Sequence, residues 1–147
     1  MTGLVWNDTC VGGVLVVKDL LCDEFQQAVG EFLVRHRSVL DVLTKFQESN
    51  ARVNRAIVKS VTNCGCLRVN AEKQRVPSDV TLRELKDYMD THLDGELCEH
   101  CKEVIESEIG RNLFYLAALC NLLDINMYDT LINEHKRITA LGLFNLS

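Results

Sequence analysis

The chain's only proline stands at position 77. On either side of it, apolar residues recur every three or four positions over long, unbroken stretches. A proline inside a helix removes a hydrogen bond and clashes with the preceding turn, so its scarcity leaves room for long helices. From Val14 to Val34 the apolar positions Val16, Val17, Leu20, Leu21, Phe25, Ala28, Val29, Phe32 and Leu33 share the helical period. A second helix is expected from Ser38 to about Thr62, opened by Ser38 and Asp41 in a capping-box arrangement. Its apolar stripe reads Val39, Val42, Leu43, Phe46, Asn50, Val53, Ile57 and Val61, with Asn50 as the polar member.

Beyond that helix the pattern changes. Asn63-Cys64-Gly65-Cys66 reads as a break, and residues 63–80 form a polar, cysteine-bearing loop with a short extended piece at Leu67-Arg68-Val69. Thr81 and Glu84 make a second capping box, predicting a short helix to about Leu93 with Gly95 as a left-handed cap. Cys98 to Cys101 leads into the most apolar stretch, through Val104, Ile105, Ile109, Leu113, Phe114, Leu116, Ala117, Leu119, Cys120 and Leu123. Asn126 and Asp129 cap a last helix from Met127 to about Ala140. The expectation is an all-α bundle of about five helices in one domain over residues 1–147, with an irregular N-terminal arm at 1–14.

Composition narrows the function classes. The chain is 147 residues long and 47% hydrophobic, enough for a sizeable core and too apolar for a disordered segment. Sixteen basic residues against 21 acidic ones give a net charge of −5, which argues against a nucleic-acid partner held through phosphates. The longest apolar run, Leu113 to Cys120, falls far short of the roughly 20 residues that cross a bilayer, and the first ten residues lack a basic leader. The expectation is a soluble cytoplasmic protein without a membrane partner.

Seven cysteines are many for such a chain. In a reducing compartment close cysteine pairs point to metal or redox chemistry rather than disulfides. Cys64-Gly65-Cys66 and Cys98-Glu99-His100-Cys101 form two knuckles with 31 residues between them. Zinc takes four thiolates in a tetrahedron, commonly two from each of two knuckles, so Cys64, Cys66, Cys98 and Cys101 are the candidate ligands of a structural zinc ion. Helix order permits the pairs to meet without requiring it. The competing reading is a redox or metal-sensing dithiol at Cys98 and Cys101. His100 is expected to point away from the metal, and Cys10, Cys22 and Cys120 are assigned to packing.

Two segments resemble the MazG-like all-α nucleoside triphosphate pyrophosphohydrolases. One is Ser107-Glu108-Ile109-Gly110-Arg111-Asn112-Leu113-Phe114-Tyr115-Leu116-Ala117-Ala118-Leu119, continuing through Leu123 to Leu131. The other is Glu48-Ser49-Asn50-Ala51-Arg52-Val53-Asn54-Arg55-Ala56-Ile57. Together they span about a quarter of the chain. The resemblance implies a helical bundle, commonly oligomeric, in which four carboxylates on two facing helices hold magnesium against a nucleotide's phosphates. Here those positions read Ser49, Arg52, Glu108 and Arg111, so one carboxylate remains and two positions carry cations. Arginine repels Mg²⁺. Glu48 and Glu108 are placed to pair with Arg52 and Arg111 instead. The implied protein is a homo-oligomer without magnesium hydrolysis that still binds a nucleotide or a protein. A shifted register using Glu31, Glu103 or Glu106 would instead restore a magnesium-dependent pyrophosphohydrolase.

Lys45, Arg52, Arg55 and Lys59 share a helical face that either meets phosphates or is simply solvated. His36 and His92 are expected near helix ends, and His135 on an exposed face. The apolar tail Leu141-Gly-Leu-Phe-Asn-Leu either packs back on the bundle or meets a second subunit.

Overall fold

The computed structural model describes residues 20–142. The arm at 1–14, the first turns expected over 14–19, Cys10 and the tail at 143–147 lie outside them. Five α-helices dominate: α1 (Leu20–Phe32), α2 (Val39–Lys59), α3 (Leu85–Tyr88), α4 (Glu99–Leu122) and α5 (Met127–Leu141). Two three-residue strands, β1 (Leu67–Val69) and β2 (Leu93–Gly95), complete the fold. This is an all-α helical bundle with one small hairpin.

The two longest helices form the most extensive contact, and they run antiparallel. Ser49 midway along α2 meets Asn112 midway along α4, while Cys64 beyond the end of α2 meets Cys98 at the start of α4. α1 packs on α4 and, less extensively, on α5. The buried core is small-sided: Val29, Val42, Ala117 and Ala118, with Leu33, Phe114, Tyr115, Leu119 and Met127 packed around it.

The stripe of α2 sits one residue away from its expected place. Asn50, Ile57 and Leu43 are exposed, whereas Ser49 is only 2% exposed and Ser60 is fully buried. The inward face therefore runs Val42, Phe46, Ser49, Val53, Ala56 and Ser60. Two serines belong to it because each hydroxyl is satisfied inside its own helix. Ser49 Oγ donates to the Phe46 carbonyl at 2.7 Å, and Ser60 Oγ donates to the Ile57 carbonyl at 2.7 Å. Asn112 Nδ2 also donates to Ser49 Oγ at 3.0 Å, tying α4 to α2.

The expected capping boxes divide. Glu84 reaches back to the Thr81 backbone N–H at 3.1 Å and accepts from its hydroxyl at 2.7 Å. Ser38 makes no side-chain cap bond, and Asp41 lies 3.8 Å from His36 instead. The helix expected to reach Leu93 stops at Tyr88, because Gln74 captures the following backbone. Its Oε1 accepts from the Asp90 N–H at 3.0 Å, and its Nε2 donates to the Asp90 carbonyl at 2.8 Å. His92 follows in a left-handed conformation and enters β2, so it ends no helix.

At the other end of the bundle, Gln26 of α1 clasps the α4–α5 turn. Its Nε2 donates to the Ile125 carbonyl at 2.7 Å, and its Oε1 accepts from the Met127 N–H at 2.8 Å. Asn126 caps α5 by accepting from the Asp129 N–H at 2.8 Å, as its spacing predicts. Among the described residues no helix is long and apolar enough to cross a membrane.

Candidate metal centre

The end of α2 does not simply stop; it widens. Residues Ser60–Cys64 form one π-helical turn, and Gly65 follows at φ +74°. An α-helical turn would have carried Cys64 around the helix. The wider turn and the left-handed glycine reverse the chain, so that Cys66 enters β1 one residue later. The Cys66 thiol points back to the Ser60 carbonyl, 3.6 Å away.

β1 pairs antiparallel with β2 in the register Leu67 to Gly95, Arg68 to Asp94 and Val69 to Leu93. This pairing brings the second knuckle to the first. Gly95 has φ +88°, and a Cβ there would stand 2.5 Å from the Cys66 carbonyl oxygen. Only glycine fits, which makes Gly95 part of the site's construction rather than a helix cap. Three residues on, Cys98 is the N-cap of α4 with extended backbone, and Cys101 lies in the first turn.

The four sulfurs of Cys64, Cys66, Cys98 and Cys101 all lie within 4.8 Å of one another, and Cys64 and Cys98 approach to 3.6 Å. A zinc ion with Zn–S bonds of about 2.3 Å requires sulfurs about 3.8 Å apart at the corners of a tetrahedron. The Cys64–Cys98 separation is close to that edge, and four thiols are a donor set suited to a soft metal ion. None of the six described cysteines is in a disulfide. Cys64 is exposed, while Cys66, Cys98 and Cys101 are half-buried.

The thiols also share their protons unevenly. The nearby backbone N–H of Cys101, helped by the Cys101 and Cys64 thiols, lowers Cys98 to about 7. Burial, with the other three thiols, pushes Cys101 up to about 12. Cys64 is raised, chiefly by its hydrogen bond with Cys98. One thiolate at a helix N-terminus, ringed by S–H donors, is an arrangement ready to receive a cation. Cys120 lies apart on α4, its thiol raised by burial, and Cys22 lies on α1.

The other predicted positions meet midway along α2 and α4. Glu48 accepts from Lys45 Nζ at 2.8 Å and from Arg52 Nη2 at 2.9 Å. These two cations hold its carboxyl down at about 2, Lys45 first. Arg111 Nη1 grips both Glu108 oxygens at 3.0 and 3.2 Å. Glu48, and after it Glu108, stabilises the Arg52 guanidinium in its charged form. Lys45, Glu48, Ser49, Arg52, Arg111 and Tyr115 line a cleft of about 200 Å³. Ser49 is at the bottom, buried and committed to Phe46 and Asn112.

Among the described residues, the four cysteines are the group whose potential ligand atoms converge; no comparable set of carboxylates does. Glu31 on α1 and Glu103 and Glu106 on α4 are all exposed. His100 and Lys59 flank the sulfur cluster across a cavity of about 420 Å³, and His135 is exposed.

No family model, curated protein or solved structure matches the chain.

Ser49, Ser60, Asn112 and Gly95 are functional or architectural residues that composition and periodicity do not single out. Gly95 carries the clearest available signal, since a glycine three residues before a C-x-x-C pair marks a tight chain approach. Ser60 carries none, because an inward serine and an outward one look alike in a helical stripe.

Proposed function

We propose that this chain is a zinc-stapled, MazG-like helical protein of the cytoplasm with a non-catalytic, regulatory binding role. The observation that carries the reading is the convergence of Cys64, Cys66, Cys98 and Cys101 from two knuckles 31 residues apart. Four soft donors within 4.8 Å of one another favour zinc over oxygen-seeking magnesium or calcium. Zinc there ties the exit of α2 to the entry of α4 and so fixes the register in which the two helices lie.

That register sets Lys45, Arg52 and Arg111 around the cleft between α2 and α4. With two carboxylates already held by three cations, the cleft carries a net charge near +1. Such a site repels magnesium and suits a phosphate of an intact nucleotide, or a carboxylate of a protein partner. Large apolar side chains left in solvent support a homo-oligomer. Leu21, Phe32 and Leu40 are each more than 70% exposed on α1 and at the start of α2. The acidic net charge supports an assembly without nucleic acid.

Metal analysis of protein purified without added zinc tests the reading. One equivalent of zinc, lost in Cys98→Ser together with cooperative unfolding, is the expected result. A nucleotide panel with Mg²⁺ or Mn²⁺ should release no pyrophosphate. Pyrophosphate release that Glu108→Gln abolishes would overturn the non-catalytic role and establish a magnesium-dependent pyrophosphohydrolase.

A further inference from the structure

The sulfur cluster is not equally closed on all sides. A cavity of about 420 Å³ opens against it, lined by Lys59, Asn63, Cys64, His100, Cys101 and Val104. Cys64 is the exposed member of the cluster and faces this cavity, whereas Cys66 lies among the residues of the hairpin junction. The sulfur in hydrogen-bond contact with Cys64 is that of Cys98, on the opposite knuckle, at 3.6 Å. Solvent reaches one of the four sulfurs more freely than the other three.

We propose that Cys64 is a peroxide-reactive zinc ligand, and that its oxidation to a disulfide with Cys98 ejects the metal. This rests on the zinc reading above and adds to it a regulated release. The Cys64 thiolate attacks one oxygen of hydrogen peroxide; the O–O bond breaks and hydroxide leaves, giving the sulfenic acid. The Cys98 thiolate then attacks the Cys64 sulfur, the S–O bond breaks, and a second hydroxide leaves. Two thiolates and one peroxide become one disulfide and two hydroxides: the sulfurs lose two electrons and the peroxide oxygens gain them. The sulfurs need to close by about 1.5 Å from their present separation, a movement shared between a residue at the end of the π-helical turn and one at a helix N-cap. Zinc, left with Cys66 and Cys101, loses half of its ligands and dissociates.

The location differs from the dithiol that the C-x-x-C spacing suggests. Cys98 and Cys101 lie in one knuckle, and a bond between them would leave the two knuckles unlinked once the metal has gone. A Cys64–Cys98 bond instead takes one ligand from each knuckle while keeping α2 covalently joined to α4. The module therefore surrenders its metal without losing the helix register.

The test exposes the zinc-loaded full chain to stoichiometric hydrogen peroxide. Zinc is followed with a chromophoric chelator, and the disulfides are mapped by mass spectrometry after alkylation. One zinc released per peroxide, with Cys64–Cys98 as the first disulfide, is the expected result. Retention of zinc under excess peroxide, or Cys98–Cys101 appearing first, overturns the proposal and leaves the zinc reading standing. A chain that takes up no zinc at all removes both. Val104→Trp changes no ligand but puts bulk into the cavity that Val104 lines, so it should bind one zinc and release it severalfold more slowly. Release at the unaltered rate overturns the assignment of the cavity as the route to Cys64.

Discussion

Replacing Gly95 with alanine puts a methyl group where the two knuckles are spliced together. The residue's φ of +88° costs an L side chain about 1–2 kcal/mol of backbone strain. The new Cβ would also stand 2.5 Å from the Cys66 carbonyl oxygen, far inside contact distance, and backbone cannot swing aside as a long side chain can. Displacing a well-packed neighbour costs about 1–3 kcal/mol more. Gly65→Ala provides the internal control. Its φ of +74° carries a similar strain, but nothing lies within 4 Å of the added atom. The two variants should therefore differ by about 1–3 kcal/mol. The strained contact lies at the junction of the two knuckles, so that difference should fall on zinc affinity. Gly95→Ala should bind zinc roughly five- to 150-fold more weakly than Gly65→Ala. Competition against a chelator of known affinity, with helicity followed by circular dichroism, reads both quantities. Equal zinc affinities in the two variants would refute the claim that the Leu67–Gly95 pairing builds the site.

Ser49→Ala leaves the half-buried Asn112 amide without its acceptor, and chemical denaturation should show a loss of about 1 kcal/mol. Adding Asn112→Ala should cost less than the sum of the two single changes, and strict additivity would show that the interhelix bond contributes nothing. Glu48, held at about 2 against an ordinary 4.5, favours the folded state while ionised. Its contribution is complete above about pH 4.5 and fades as the pH falls toward 2, so an NMR titration of its side-chain carboxyl should show a midpoint near 2. A midpoint near 4.5 would mean that Lys45 and Arg52 do not hold it in solution. Phe32→Glu and Leu40→Glu should convert an oligomer to a monomer on light scattering while leaving the helical signal unchanged, because both side chains are exposed in the single chain. An unaltered mass in both variants would place the interface elsewhere.

The long helices were readable because burial in a bundle imposes a period that apolar residues must follow. Their inward faces were less so. A stripe through Asn50 and a stripe through Ser49 differ by one residue, and the choice depends on hydroxyls bonding back to Phe46 and Ile57 carbonyls. The short helix after Thr81 was overextended because its stop comes from Gln74, sixteen residues before Asp90, and local signals carry no such information. For the site, cysteine type and spacing identified all four sulfurs that the structure brings together. What spacing did not supply was the joint. That depends on the antiparallel course of α2 and α4, on one π-helical turn, and on a three-residue strand pairing too short to leave a β pattern. The exposed side of the cluster was equally hidden, since C-x-x-C draws the eye to Cys98 and Cys101 while the chain's path opens Cys64.

The strand pairing has one more effect. Because Leu67 lies opposite Gly95 and Val69 opposite Leu93, the stretch between the strands leaves and returns at neighbouring points. It is a lobe fastened at its neck, and its distance around the tip does not enter the geometry of the neck. Extra residues spliced in near Pro77, or a single cut there, should leave the helices in place. A label inserted at that tip would follow the protein's associations from outside, with the scaffold beneath it undisturbed.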